Sequence, residues 1–363
     1  MKVYCGLCGY AGHELFNHLR DVHDMTPDKY RERCPVAPLV SEKLLRYLSE
    51  NKVQATEHGM KKHVSLFGFS MMASLVPTPM VPQMSDGYFL REDTGRHAAA
   101  SLKDNERLLL VGPTGVGKST LIEQLAARLN WPLIRVAASG GLTEADLLGE
   151  WTVKDGETVF NYGFLPRAMK KGAICLIDEI DGLEPSVAFS LHQLMEDGGS
   201  LVLLQNGGEL IDPHPGFRLV CTANTLGHGD DSGLYTGTRV LNAAFLDRFN
   251  SVIEMGHLGS ESEQKVIKTS VPEVTEKFAE KLTQAAGAVR AAQENDQIYC
   301  TLSTRRLLDI ARKTVQLESL AQALDAALLS RLAPEDRSVV HEILQRHLGD
   351  ILEEEAKAHA RKK

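Results

Sequence analysis

Four apolar residues, Leu108-Leu109-Leu110-Val111, run directly into Gly112-Pro113-Thr114-Gly115-Val116-Gly117-Lys118-Ser119-Thr120, and apolar side chains then recur at Leu121, Ile122, Leu125 and Leu129. The first run reads as a buried strand and the last as an amphipathic helix. Between them stands G-x-x-x-x-G-K-S in the strand–loop–helix setting that this motif requires. Its glycines let the backbone turn tightly, so that N–H groups converge on anionic oxygens, and the positive end of the following helix adds to the attraction. Residues Gly112 to Thr120 are therefore expected to cradle the phosphates of ATP. Lys118 is placed on the β- and γ-phosphates and Ser119 on Mg2+.

A second apolar run, Ala173-Ile174-Cys175-Leu176-Ile177, ends in Asp178-Glu179. An acid pair at the end of a buried strand, downstream of such a loop, is the Walker B pattern. Asp178 is expected to bind Mg2+ through water, and Glu179 to polarise the attacking water as general base. A third strand, Phe217 to Ala223, is followed by Asn224, a polar group suited to sensing the γ-phosphate. From about residue 86 to 256 short apolar runs alternate with helical patterns, the signature of an α/β sandwich on a mostly parallel sheet. From about 257 onward the pattern is helical only.

These elements, in this order, resemble the AAA+ superfamily. The stretches IEQLAARLNWPLIRV (122–136), ADLLGEW (145–151), GFLPRAMKKGAICLIDEID (163–181), HPGFRLVCTANT (214–225) and DDSGLYTGTRVLNAAFLDRF (230–249) narrow the resemblance to the MoxR group, and within it to the CobS-like motors of aerobic cobaltochelatase. The resemblance spans roughly residues 77 to 270. It implies an αβα P-loop domain with a helical lid, working as a ring, a hexamer, with ATP at the subunit junctions. It implies further that Arg248 reaches the γ-phosphate of a neighbouring subunit, with Arg239 the weaker alternative and a local ion pair to Asp247 the competing role. Arg305, ahead of Arg306, matches the second sensor on the lid. Thr143 to Gly163 falls where this group inserts a loop into helix 2, and Ser200 to Ile211, with Asn206-Gly207-Gly208 between two β-like arms, matches the hairpin before the first sensor. The group's partners commonly carry a von Willebrand factor A domain, so remodelling of such a protein is the function implied. The alternative is the motor subunit of a cobalt or magnesium chelatase.

The N-terminus adds a separate signal. Cys5-x2-Cys8-x9-His18-x4-His23 supplies two thiolates and two imidazoles at spacings that close a tetrahedral Zn2+ site, with His13 a competing ligand. Leu15, Phe16 and Leu19 are expected to pack the helix bearing His18 and His23. A unit of this size buries too little surface to fold alone, so metal binding supplies the missing stability. The pattern is similar to the Ros/MucR-type C2H2 zinc finger, a family that binds DNA, which gives a third reading: a DNA-targeted regulatory ATPase. However, residues 1–34 carry five basic and five acidic side chains, whereas a DNA-reading finger normally shows positive excess. Protein docking is favoured over DNA.

At 363 residues the chain divides, on these signals, into a zinc finger (1–34), a helix and apolar linker (35–76), the nucleotide-binding domain (77–256) and the lid (257–363). Ser41 to Asn51 is expected to be an amphipathic helix. The formal charge of −8 argues against a surface that coats nucleic acid. The six cysteines are used as a metal pair and as core residues, which fits a reducing compartment. No signal peptide is expected ahead of the cysteine pair, and the expected location is cytoplasmic. The charge-free run from Val64 to Ser85 is broken by Pro77, Pro79 and Pro82. That leaves only Val64 to Val76 as a possible helix, too short to cross a bilayer and read as a linker packed on the next domain or on a neighbouring subunit.

Overall fold

A computed structural model describes residues 2–12, 15–35, 37–42, 54–56, 59–74, 78–85, 87–138, 141–192, 194–196, 199–225 and 241–362. At the N-terminus β1 (Val3–Tyr4) pairs antiparallel with β2 (Ala11–Gly12), followed by α1 (Phe16–His23) and α2 (Pro27–Arg33). Thr26 opens α2 with its side chain accepting from the Lys29 N–H, and Pro27 sits where its missing N–H costs nothing. Leu15, Leu19 and Tyr30 are fully buried against Val3, Cys5 and Leu39. Most of the helix expected from Ser41 to Asn51 lies outside the described residues.

Next come β3 (Gln54–Thr56), β4 (Gly59–Leu66) and β5 (Phe69–Ser74), an antiparallel meander. This corrects the reading of Val64–Val76 as a linker or short helix. The turn at Phe67-Gly68 has both φ angles positive, 51° and 79°, which matches the right-handed strand twist of a hairpin. Met71 and Ala73 are buried two residues apart, the period of a strand. They pack on α3 (Glu92–Asp104), and the Phe67 ring lies over Gly95, where an added Cβ would come within 2.5 Å of it. Met71 and Ala73 thus share one core cluster with Leu108, Leu110 and Leu121.

The α/β region continues through β6 (Leu108–Val111), α4 (Lys118–Arg128), β7 (Leu133–Ala137), α5 (Glu144–Leu148), β8 (Gly149–Lys154), β9 (Glu157–Tyr162), α6 (Phe164–Lys171), β10 (Ile174–Asp178), α7 (Pro185–His192), β11 (Leu201–Leu203), β12 (Glu209–Ile211), β13 (Arg218–Ala223), α8 (Ala243–Leu246) and β14 (Ser251–Glu254). Five of these strands form a parallel sheet in the order β14-β6-β13-β10-β7. Alternate residues of each strand enter opposite cores. Leu109, Val111, Cys175 and Ile177 face one layer; Leu108, Leu110, Ile174 and Leu176 face the other. Burial on both faces explains why these strands read as unbroken apolar runs.

The rest is helical: α9 (Ser260–Ser270), α10 (Glu276–Glu294), α11 (Thr304–Leu317), α12 (Leu320–Ala327) and α13 (Pro334–Lys362), around a core of their own. A buried ion pair fixes the start of α11. Glu263 accepts two bonds from Arg290 at 2.8 and 2.9 Å and one from the Thr304 hydroxyl at 2.6 Å, while Arg290 Nε donates to the Leu302 carbonyl at 2.8 Å. Among the described residues no helix is long and apolar enough to cross a membrane.

Candidate functional site

The chemistry-bearing residues gather at the C-terminal edge of the parallel sheet, where such folds open a crevice. The loop between β6 and α4 is held by close approaches that only glycine allows. Gly112 has φ +152°, and a Cβ there would overlap the Met255 carbonyl oxygen; at Gly115, φ +81°, it would lie 2.6 Å from Ser303 at the start of α11. The lid therefore touches the loop directly. Arg305 adjoins Gly115, whereas Arg306 pairs with Asp309 at 3.3 Å.

Lys118 folds back over the loop, donating to the Gly112 and Pro113 carbonyls at 2.5 and 3.1 Å and to Asn224 Oδ1 at 3.0 Å. Burial pushes its pKa down to about 8, although Asp181, Asp178 and Glu179 oppose the shift. An ammonium held against carbonyl oxygens, among acids, is set to exchange them for phosphate oxygens. Asn224 also accepts from the Thr114 hydroxyl at 3.3 Å. Val116 is buried, and Gly117 takes the left-handed conformation that starts α4. Ser119 donates to Asp178 Oδ1 at 2.5 Å, and Thr222 donates to the same oxygen at 2.9 Å. A hydroxyl and a carboxylate in contact beside a phosphate loop are the hard oxygen donors Mg2+ takes, so these residues fit that ion. Glu179 is exposed to the crevice in a left-handed conformation, φ 57° and ψ 46°, which is uncommon for a side chain of this kind and is held by its N–H bond to Thr222 Oγ1 at 3.1 Å.

Three participants escaped the sequence reading. Asp181 is fully buried, and its Oδ2 accepts from the N–H groups of Asn224 and Thr225 at 2.9 and 3.1 Å, tying the strand-end Asn to the acid strand. Its place in Ile-Asp-Glu-Ile-Asp was the available signal. Thr222 and Arg135, the latter paired with Asp178 and Glu123, left none, because each acts across neighbouring strands.

Arg248 lies elsewhere. It pairs with Glu196 rather than with Asp247, Arg107 Nε donates to its carbonyl at 2.7 Å, and its buried Nε has no partner among the described residues. Arg107 and Arg248 stand at the N-terminal ends of β6 and β14, whereas the phosphate loop follows the C-terminal end of β6. A four-residue strand separates the two by about 13 Å. Arg239 is outside the described residues.

The two insertions are hairpins that grip one another. β8 pairs with β9 and β11 with β12. Trp151 Nε1 donates to the Gln205 carbonyl at 2.8 Å, and Glu209 accepts from Tyr162 at 2.8 Å and Lys170 at 3.0 Å.

In the N-terminal module Cys5, Cys8, His18 and His23 offer one donor atom each, all within 4.8 Å of one another. Cys5 Sγ is 3.6 Å from His23 Nε2, Cys8 Sγ is 3.1 Å from His18 Nε2 and 3.3 Å from His23 Nε2. Tetrahedral Zn2+ with two thiolates and two imidazoles has ligand separations of roughly 3.3–3.8 Å, so the set fits. Burial and the nearby His23 hold the His18 pKa below its usual value, favouring the neutral, ligating imidazole. His13 lies outside the described residues.

Comparison with known proteins follows the same division. A family model for the AAA domain (dynein-related subfamily) matches residues 107–269, and one for the CbbQ/NirQ/NorQ C-terminal region matches 263–348. The chain is 34% identical over 282 residues to the aerobic cobaltochelatase subunit CobS of Sinorhizobium sp, covering 76% of this chain and 85% of that protein. It is 43% identical over 117 residues to protein NorQ of Paracoccus denitrificans, covering 32% and 43%. With the denitrification regulatory protein NirQ of Stutzerimonas stutzeri it shares 29% over 244 residues, 67% of this chain and 85% of that one. Among solved structures, the Thermotoga maritima RuvB Holliday junction branch migration motor aligns with TM-score 0.42 at 16% identity, covering 73% and 72% of the two chains.

Proposed function

This chain belongs to the MoxR-like AAA+ ATPases of the CobS, NorQ, NirQ and CbbQ type, and from that premise we propose that it hydrolyses ATP at the junctions of a ring, a hexamer, to remodel a protein partner. The residues divide the work as follows. The N–H groups of Gly112 to Thr120 and the Lys118 ammonium hold the triphosphate. Ser119 and Asp178 would hold Mg2+, which would supply positive charge to offset that of the triphosphate. Glu179 takes a proton from the attacking water, and Asn224, fixed by Asp181, orients the γ-phosphate. Arg305 approaches the same phosphates from the lid.

The observation that carries the ring is the placement of Arg248, at the strand ends remote from its own phosphate loop. A guanidinium there serves a neighbour's nucleotide, where it offsets transition-state charge. Mixing two inactive chains tests this. Arg248→Ala keeps a complete phosphate site and loses the finger; its own turnover should fall by about 10^3-fold or more, with ATP affinity retained. Glu179→Gln keeps the finger and loses the base. A mixture of the two should recover ATPase activity, because some junctions then combine both intact halves. No recovery, in a mixture shown to co-assemble, removes the shared site.

For the partner, the clasped hairpins and the N-terminal module are the surfaces best placed to meet a protein, in keeping with a von Willebrand factor A domain-containing partner. The Cys/His set is read as a Zn2+ site, and its balanced charge favours protein docking over DNA. A working place in the cytoplasm is consistent with this reading. The likeness to CobS supports a second one, the motor subunit of a metal chelatase. Cobalt-stimulated ATPase activity with chelatase subunits would select it.

A further inference from the structure

The acid that ends β10 is restrained on both of its oxygens. Asp178 is 5% exposed. Its Oδ1 accepts from Ser119 and Thr222, and its Oδ2 is in contact with Arg135 Nε. Arg135 in turn donates from Nη1 to Glu123 Oε1 at 2.8 Å. The geometry follows from the sheet. Arg135 stands on the edge strand β7, in register with Leu176, and Asp178 is paired with Ala137. Leu133, Arg135 and Ala137 alternate onto one face of the strand, the face covered by α4, the helix that begins at Lys118 and carries Glu123. Arg135 thus reaches from the edge of the sheet to the carboxylate beside Ser119.

A guanidinium is charged at every accessible pH. Placed on the free oxygen of Asp178, it has two effects. Its planar fork, anchored by Glu123, keeps Oδ1 turned toward Ser119. Its charge also repels a divalent cation at those same two ligands, and half of the Arg135 side chain remains in solvent, which moderates that repulsion.

We propose that Arg135 is a positioning residue that sets the Mg2+ affinity of the site, keeping the metal from settling on Ser119 and Asp178 until the triphosphate brings its own negative charge. This rests on the reading of Ser119 and Asp178 as the metal ligands. Metal capture and nucleotide capture then become one event.

The test uses full-length protein and Mn2+, detected by electron paramagnetic resonance, as the probe for the Mg2+ site, with and without a non-hydrolysable ATP analogue. Arg135→Gln should bind Mn2+ about three- to tenfold more tightly in the absence of nucleotide, and the gain should shrink when the analogue is present. Arg135→Lys, which keeps the charge and loses the fork, should retain the wild-type Mn2+ affinity. Glu123→Gln, which frees the guanidinium to lean on Asp178, should weaken Mn2+ binding; it gives the opposite sign and serves if Arg135→Gln does not fold. Unchanged or weaker Mn2+ binding by folded Arg135→Gln, or unchanged binding by Glu123→Gln where that variant must serve, overturns the proposal. Asp178→Asn separates the premise from the inference: if, with the ATP analogue present, it binds Mn2+ as the wild type does, Asp178 is not a ligand and the metal-site reading itself fails.

Discussion

In the central sheet, Leu108, Leu110, Ile174, Leu176 and Val220 are buried between two helical layers, and the groups that face ATP hang from the edge of that core. In the N-terminal module the apolar core among the described residues is small, Val3, Cys5, Leu15, Leu19, Tyr30 and Leu39, and one of those six belongs to the proposed metal set. The first region folds by burial and carries its chemistry as an addition; Lys118, buried among carbonyls with its pKa driven down to about 8, even works against the fold. In the second, on the proposed Zn2+ reading, the metal-binding side chains would also supply much of the folding stability. The difference teaches where function and stability can be separated in this chain and where they cannot.

The strongest test of that contrast is metal removal. Chelation, or Cys8→Ser, should unfold residues 1–34, since a structural Zn2+ contributes about 10–16 kcal/mol in such units. The ATPase core should keep its melting transition and its nucleotide affinity. Amide exchange resolved by segment reads both at once, and simultaneous loss of core protection would break the comparison.

Glu179→Gln asks the converse of the core. Turnover should fall by about 10^2- to 10^4-fold, while ATP binding persists and the melting temperature stays near the wild type, because Glu179 faces the crevice rather than the core. Leu176→Ala, by contrast, should remove about 2–5 kcal/mol of stability by denaturant unfolding, with little change in ATP affinity for whatever fraction remains folded.

The smallest effect is one of pH. The folded Lys118 loses its proton near pH 8, the unfolded one near its ordinary 10.5. Between those values the unfolded chain holds more protons, so the empty protein gains stability as pH rises; that gain is complete above about 10.5 and lost as pH falls to about 8. ATP affinity should move the other way, weakening by up to about tenfold per pH unit above 8, since the phosphates need the ammonium form. Fluorescent-nucleotide titration and thermal melts across that range check the two slopes, and parallel slopes would show that Lys118 is not the group titrating.

Some of this was determined by the sequence alone. The phosphate loop, the acid pair Asp178-Glu179 and the four metal-type side chains lie in short segments whose spacing carries their meaning, and the unbroken apolar runs announce strands buried on both faces. The same cue misled at Val64–Val76, where an apolar stretch before several prolines reads as linker or short helix, although Met71 and Ala73 alternate into the core as a hairpin on α3. Only the tertiary structure placed Thr222 and Arg135 on Asp178, Asp181 under Asn224, and Arg248 on Glu196 at the far end of the strands. Each of those contacts joins residues more than 40 apart in sequence. Local periodicity fixes which face of an element is buried, but not which strand lies beside it, so the partners of a polar group emerge only once the sheet has chosen its order.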